Sequence, residues 1–192
     1  METKNDIQAV YAKTRKEWRE WLVENGQTEK SVWLIIYHKN SETESIYYPE
    51  AIEEALCFGW IDSKSIKRDA DSSYLMFTLR KANGTWSSIN KERVQRLTVD
   101  GLMTPAGQYF IDLAKETGTW DALLDIENAV IPDDLQQLLS KNEVAYKNFQ
   151  AFPKSAKRQI LNWIFSAKRP ETREQRVRQT VEKATENVRA KV

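Results

Sequence analysis

The stretch Ala55-Leu56-Cys57-Phe58-Gly59-Trp60-Ile61-Asp62-Ser63-Lys64 constrains this chain more than any other. Just upstream, Pro49 stands where a first helical turn tolerates a residue without an N–H, and Ile52, Ala55 and Leu56 share one face of the helix that follows. Gly59 stops that helix, since glycine enters the left-handed conformation with no Cβ penalty. Trp60 to Lys67 then carries the pattern of a strand, so the segment is a helix–glycine–strand junction. On a regular strand Trp60, Asp62 and Lys64 face the same side. An indole, a carboxylate and an ammonium group do not make an ordinary core face, so the pattern predicts one wall of a pocket. A solvated sheet face bearing ordinary surface charges accounts for the same three residues.

The flanking sequence fills in the fold class. Ser73 to Arg80 reads as a second strand, joined to the first through the turn-rich Arg68–Ser72 and paired with it antiparallel. Ser31 to Tyr37 is β-branched and aromatic without alternation, as expected of a buried strand. Residues 6–24 place Ile7, Val10, Tyr11, Trp18, Trp21 and Leu22 on a helical stripe closed by Asn25-Gly26. From Ser87 onward the pattern is helical, near 88–99, 105–117, 133–140, 142–151, 155–167 and 171–189, with Gly or Pro between the segments. The expected architecture is α+β: a small antiparallel sheet of about three strands flanked by helices, with a helical C-terminal region. Residues 1–130 form the α+β domain and 131–192 the helical region. Its last two helices are amphipathic, through Ala156, Ile160, Trp163, Ile164 and Ala167 and through Val177, Val181, Ala184 and Val188, and the sheet domain is the expected surface for their stripes.

Composition narrows the classes of function. The hydrophobic share of 41% and charged share of 30% belong to a folded globular protein. The single cysteine, Cys57, excludes an internal disulfide, which fits a cytosolic protein. Met1 to Asp6 is polar, with no apolar run of signal-peptide length, and Val32–Tyr37, the longest apolar stretch, is too short to span a bilayer. Charge is uneven. Lys154 to Val192 carries eleven basic and four acidic residues, a net of +7, against −6 for the rest. Lys168, Arg169, Arg173 and Arg176 cluster around Pro170, forming a candidate anion-binding patch or a solvated face that pairs with the acidic remainder. No nucleic-acid motif accompanies it, which disfavours a nucleic-acid partner.

Chemistry-bearing residues are sparse. With one histidine, His38, and one cysteine, the chain holds no zinc pattern, and neither a phosphate-binding glycine loop nor a dinucleotide fingerprint is present, so no metal and no cofactor are expected. A nucleophilic Cys57 needs a base that nothing in the spacing supplies, and a buried thiol is the simpler account. The richer region follows the junction. Arg80 is succeeded by a loop, by Trp86, and by Ser87 and Ser88, either of which suits the cap of a helix carrying Asn90, Arg93 and Arg96. A helix N-terminus near an arginine attracts anions, so Trp60, Asp62, Lys64, Arg80, Trp86 and Asn90 are the candidate ligand-binding residues, suited to a carboxylate or phosphate. A plain cap at Ser87 and a plain core role for Trp86 explain those two equally.

Leu56-Cys57-Phe58-Gly59-Trp60-Ile61-Asp62-Ser63, Phe77-Thr78-Leu79-Arg80-Lys81, Trp86-Ser87, Asn90, Gly101-Leu102-Met103, Ala106-Gly107 and Ala167-Lys168-Arg169-Pro170-Glu171-Thr172-Arg173 together resemble the YdeI/OmpD-associated, or bacteriocin-protection, family, from about Trp18 to Arg176. The resemblance implies a bacterial protein linked to survival of bacteriocins or antimicrobial peptides, and implies no catalytic set. In one departure Leu79 stands where the family usually has Pro, which restores a backbone N–H before Arg80. The expected function is a non-catalytic cytosolic protein that binds a small molecule or a protein partner. The alternatives are an enzyme using Asp62 or Cys57, and a binder of nucleic acid or anions through the basic C-terminal helices.

Overall fold

The computed structural model describes residues 2–190. Chain contacts divide it into two compact units, one up to Ala122 and one from Leu123. The first unit holds β1 (Glu2–Lys4), β2 (Ile7–Tyr11), α1 (Arg15–Asn25), β3 (Ser31–Tyr37), α2 (Tyr48–Cys57), β4 (Trp60–Lys67), β5 (Ser72–Leu79), α3 (Ser88–Val99) and α4 (Pro105–Glu116). Its five strands form one sheet in the order β1-β2-β3-β5-β4, with β2 parallel to β3 and all other pairs antiparallel. The α+β class and the antiparallel β4–β5 pair agree with the sequence reading; a sheet of about three strands does not.

Of the two additional strands, β2 lies where a helix was expected and β1 precedes it. Ile7, Val10 and Tyr11 have helical spacing, but α1 begins only at Arg15, with the Thr14 hydroxyl capping Glu17 N–H at 3.2 Å. Upstream, Asn5 and Asp6 both adopt positive φ, 52° and 60°, making the tight turn of a β1–β2 hairpin. Asn and Asp tolerate that region better than other non-glycine residues, so the local turn chemistry outweighs the spacing of three apolar side chains.

Alternation along the strands sorts the apolar residues into two clusters. Val32, Leu34, Leu75, Phe77 and Trp60 face the main core with Trp18 and Leu22 of α1, Ala55 and Leu56 of α2, and Val94 and Leu97 of α3. Trp33, Ile35, Tyr74 and Met76 form a smaller cluster with Ala9 on the opposite face. Buried indoles keep their N–H groups satisfied: Trp18 donates to the Ala51 carbonyl at 3.0 Å and Trp60 to the Gly26 carbonyl at 2.9 Å.

Gly59 has φ of +78°, and a Cβ there would lie 2.3 Å from the Phe110 ring. It therefore serves both the turn and the close packing of α4. Gly107 in α4 is equally required, because a Cβ would meet the Cys57 carbonyl oxygen at 2.2 Å. Thr104 N–H donates to that same carbonyl at 3.1 Å, so the start of α4 caps the end of α2.

The second unit contains α5 (Leu124–Glu127), α6 (Asp133–Leu139), α7 (Glu143–Ala151), α8 (Lys154–Phe165) and α9 (Pro170–Thr185). It has its own core, built from Leu135, Leu139, Ala145, Phe149, Ile160, Leu161, Ile164, Val177 and Ala184. The stripes of α8 and α9 are thus filled by helices of their own unit, where the sequence suggested the sheet. Among the described residues no helix is long and apolar enough to cross a membrane.

Candidate functional site

Arg80 leaves the end of β5 with its backbone N–H donating to the Gly59 carbonyl at 2.9 Å, so the junction glycine also fixes the arginine. Its side chain is only 7% exposed, and the guanidinium carbon lies 3.5 Å from the centroid of the Trp86 ring. One terminal nitrogen makes a long contact of 3.4 Å to the Thr85 carbonyl, while Nε is buried without a hydrogen-bond partner among the described residues. Burial pulls the group below the ordinary arginine range, to about 10, and the charge of Asp62 acts in the opposite direction. Arg80 therefore remains cationic at neutral pH, takes part in no ion pair among the described residues, and rests on an aromatic face.

Two hydrogen-bonded pairs belong to the same region. Asp62 accepts a hydrogen bond from the Tyr48 hydroxyl at 2.7 Å. Burial, and then Asp62 itself, raise that hydroxyl to about 12, while the positive charge of Arg93 lowers it in part. Arg93 in turn donates to the Asn90 side-chain oxygen at 2.9 Å. Ser87 caps α3 by accepting from Asn90 N–H at 3.4 Å, which puts the positive end of a three-turn helix directly after Trp86. Tyr48–Asp62 and Arg93–Asn90 are thus two hydrogen-bonded pairs, and charge alone relates Asp62 to Arg80 and Arg93 to Tyr48. Tyr48 carried no signal of its own in the sequence beyond Tyr47-Tyr48 ahead of the helix-opening Pro49.

Trp60 and Lys64 stand apart from this group. Trp60 is 0% exposed and hydrogen-bonded inside the core. Lys64 is on the opposite face of the sheet, its ammonium 5.3 Å from the Trp33 centroid. The cause is a bulge: Asp62 pairs with Phe77 but Lys64 pairs with Met76, leaving Ser63 as an extra residue. One unpaired residue reverses the alternation, so the common face expected for Trp60, Asp62 and Lys64 does not exist.

Cys57 is sealed as well. It is 0% exposed, and burial, reinforced by Glu54, pushes the thiol up to about 11, although the neighbouring Arg19 opposes this. His38 is engaged with the Ser73 hydroxyl at 3.1 Å. Iodoacetamide at pH 8 is expected to leave native Cys57 unmodified for hours and to alkylate it promptly in 6 M guanidinium, as followed by intact mass. Prompt alkylation of the native protein would return the thiol to the list of reactive groups. Among the described residues no group of three or more His, Cys, Asp or Glu side chains is placed to hold a metal ion.

The basic patch of the second unit is partly committed internally. Arg173 makes a two-pronged pair with Asp134, at 2.7 and 3.1 Å. Arg176 stacks 5.1 Å from the Trp163 centroid and donates to the Trp163 carbonyl and, at 3.0 Å, to the Ser166 hydroxyl, closing the C-terminal end of α8. Lys168 and Arg169 are exposed. The four cations that the sequence grouped therefore divide into two structural and two solvent-facing groups.

Comparison with known families gives two matches. Residues 10–109 match a domain of unknown function, DUF8412. Residues 128–187 match the family described as bacteriocin-protection, YdeI or OmpD-associated. The Ala167–Arg173 motif lies in the second match, whereas Cys57–Asp62, Arg80 and Trp86 lie in the first, so the resemblance noted from sequence narrows to the C-terminal third. No curated protein and no solved structure matches the chain.

Proposed function

We propose, from the premise that this chain belongs to the DUF8412 family through residues 10–109, that it is a non-catalytic binding protein whose ligand is a small anion held at Arg80 and Trp86. The observation that carries this reading is the buried Arg80 guanidinium with an unpartnered Nε. An arginine removed from water without a paired carboxylate is costly, and a carboxylate or phosphate oxygen supplies an acceptor and a paired charge together. Trp86 holds the guanidinium plane in place, and the start of α3 adds partial positive charge beside it. Asp62 sets a limit: its negative charge acts on the same arginine, so one ligand charge is favoured over two. A monocarboxylate fits better than a phosphate dianion on that ground.

The match of residues 128–187 supports linking this binding activity to bacteriocin or antimicrobial-peptide resistance, with the second unit as the family-specific part. The location we favour is the cytoplasm, with a small molecule or a protein as partner. Thermal unfolding with 10 mM acetate, benzoate or phosphate at constant ionic strength tests the site. A monocarboxylate is expected to raise the midpoint by about 2 °C, equivalent to roughly 0.5–1 kcal/mol of linkage. That gain should vanish in Arg80→Ala. Equal stabilisation of both proteins would show that the anion binds elsewhere.

A further inference from the structure

We infer a second ligand site in the first unit, between α3 and α4, that takes an apolar monocarboxylate. A cleft of about 550 Å³ opens there, within the size range of small-molecule pockets. Its walls include Val94 and Gln95 of α3, Ile111 of α4, and Trp120 beyond α4. Val99, at its rim, is 82% exposed, an apolar side chain left in water beside an apolar floor.

Charge distinguishes this cleft from an ordinary groove. Lys91 and Lys115 arrive from different helices, and their ammonium groups lie 5.3 and 5.5 Å from the centroid of the one Trp120 ring. Lys91 is paired with Asp121 at 2.9 Å, whereas Lys115 takes part in no ion pair among the described residues. Two ammonium groups at one ring, of which Lys115 is outside any ion pair among the described residues, beside an apolar floor are complementary to a ligand with a carboxylate head and a hydrocarbon body. The head meets the lysines, and the body covers Val94, Ile111 and Trp120. The Trp120 ring is 5.1 Å from that of Trp86, so the two sites share an aromatic wall but no cation. This inference does not depend on the Arg80 reading.

Decanoate and decan-1-ol, titrated calorimetrically into the full chain, separate the head from the body. Decanoate is expected to bind at least about 10-fold more tightly than the alcohol, the difference that one charge-assisted contact makes, and to do so in Arg80→Met as in the wild type. Lys115→Glu and Gln95→Glu, both at the exposed surface, should each weaken decanoate by about 10-fold while leaving the circular dichroism spectrum unchanged. Equal affinity for acid and alcohol, indifference to both substitutions, or no binding of decanoate at millimolar concentration would each overturn the assignment.

Discussion

Replacing Glu54 with alanine will destabilise the first unit by about 3 kcal/mol, the largest effect expected of any single change outside the apolar core. Glu54 is 1% exposed, and its carboxylate receives Arg15 Nε on one oxygen and Arg19 Nη1 on the other, the latter at 2.6 Å. Arg19 also donates to the Leu102 carbonyl at 2.9 Å, and the neighbouring Glu53 joins Arg15 to Arg96. Two carboxylates of α2 and three arginines therefore tie α1, α2, α3 and the start of the α3–α4 connection together. Removing Glu54 leaves two guanidinium groups facing one another, with Arg15 Nη2 already buried and unpartnered. Both arginine side chains are about one third exposed (34% and 31%), so water compensates in part and the cost falls at the lower end for a broken buried pair. Urea unfolding followed by tryptophan fluorescence measures this, since six of the seven tryptophans precede Ala122. Glu54→Leu separates the causes. It restores apolar volume but not charge, so it should be nearly as unstable as Glu54→Ala. A leucine variant of wild-type stability would mean that volume, not charge, is what Glu54 contributes.

Arg80→Met is expected to act in the opposite direction. Truncating a buried arginine usually lowers stability, but here the charge forms no ion pair among the described residues, and Asp62 acts on it without pairing with it. Methionine keeps much of the volume and a favourable contact between sulfur and the Trp86 ring, while the desolvation cost of the cation disappears. The variant should be about 1–2 kcal/mol more stable than the wild type in urea and should lose its stabilisation by acetate, which lacks the hydrocarbon body that the α3–α4 cleft takes. That pairing of gained stability with lost binding is the mark of a group retained for a ligand. A loss of 2 kcal/mol or more would instead make Arg80 a structural residue whose stacking on Trp86 outweighs its burial.

Much of this architecture was legible because it rests on local necessities. Gly59 was recognisable as a helix stop since the chain must turn there with positive φ, and α4, α8 and α9 begin beside Pro105, Pro153 and Pro170 while Gly101 and Gly118 follow the ends of α3 and α4. The hairpin of β1 and β2 was missed because three apolar residues at positions 7, 10 and 11 suit a helix and a strand alike. Only the Asn5-Asp6 turn decides between them. Of the sequence candidates, Asp62, Arg80, Trp86 and Asn90 are those on which the proposed site rests, and polar groups flanking a strand end and a helix cap made them conspicuous. Tyr48 and the role of Arg93 were not conspicuous, because their link depends on α2 and α3 being brought alongside β4 by contacts distant in sequence. The wrong face for Lys64 has a narrower cause. Nothing in the residues around Ser63 distinguishes a bulged strand from a regular one, and the alternation argument fails from the first irregularity onward.

That same irregularity bears on how the chain behaves in a crowded solution. β4 is the outermost strand on its side of the sheet, with its free backbone donors and acceptors directed away from β5. An unbroken row of such groups is a template on which another copy can add a strand and start an aggregate. The extra residue at Ser63 puts the row out of step halfway along, and Lys64 and Lys67 place exposed charge on the stretch beyond it. The bulge thus keeps the sheet from growing at its open edge.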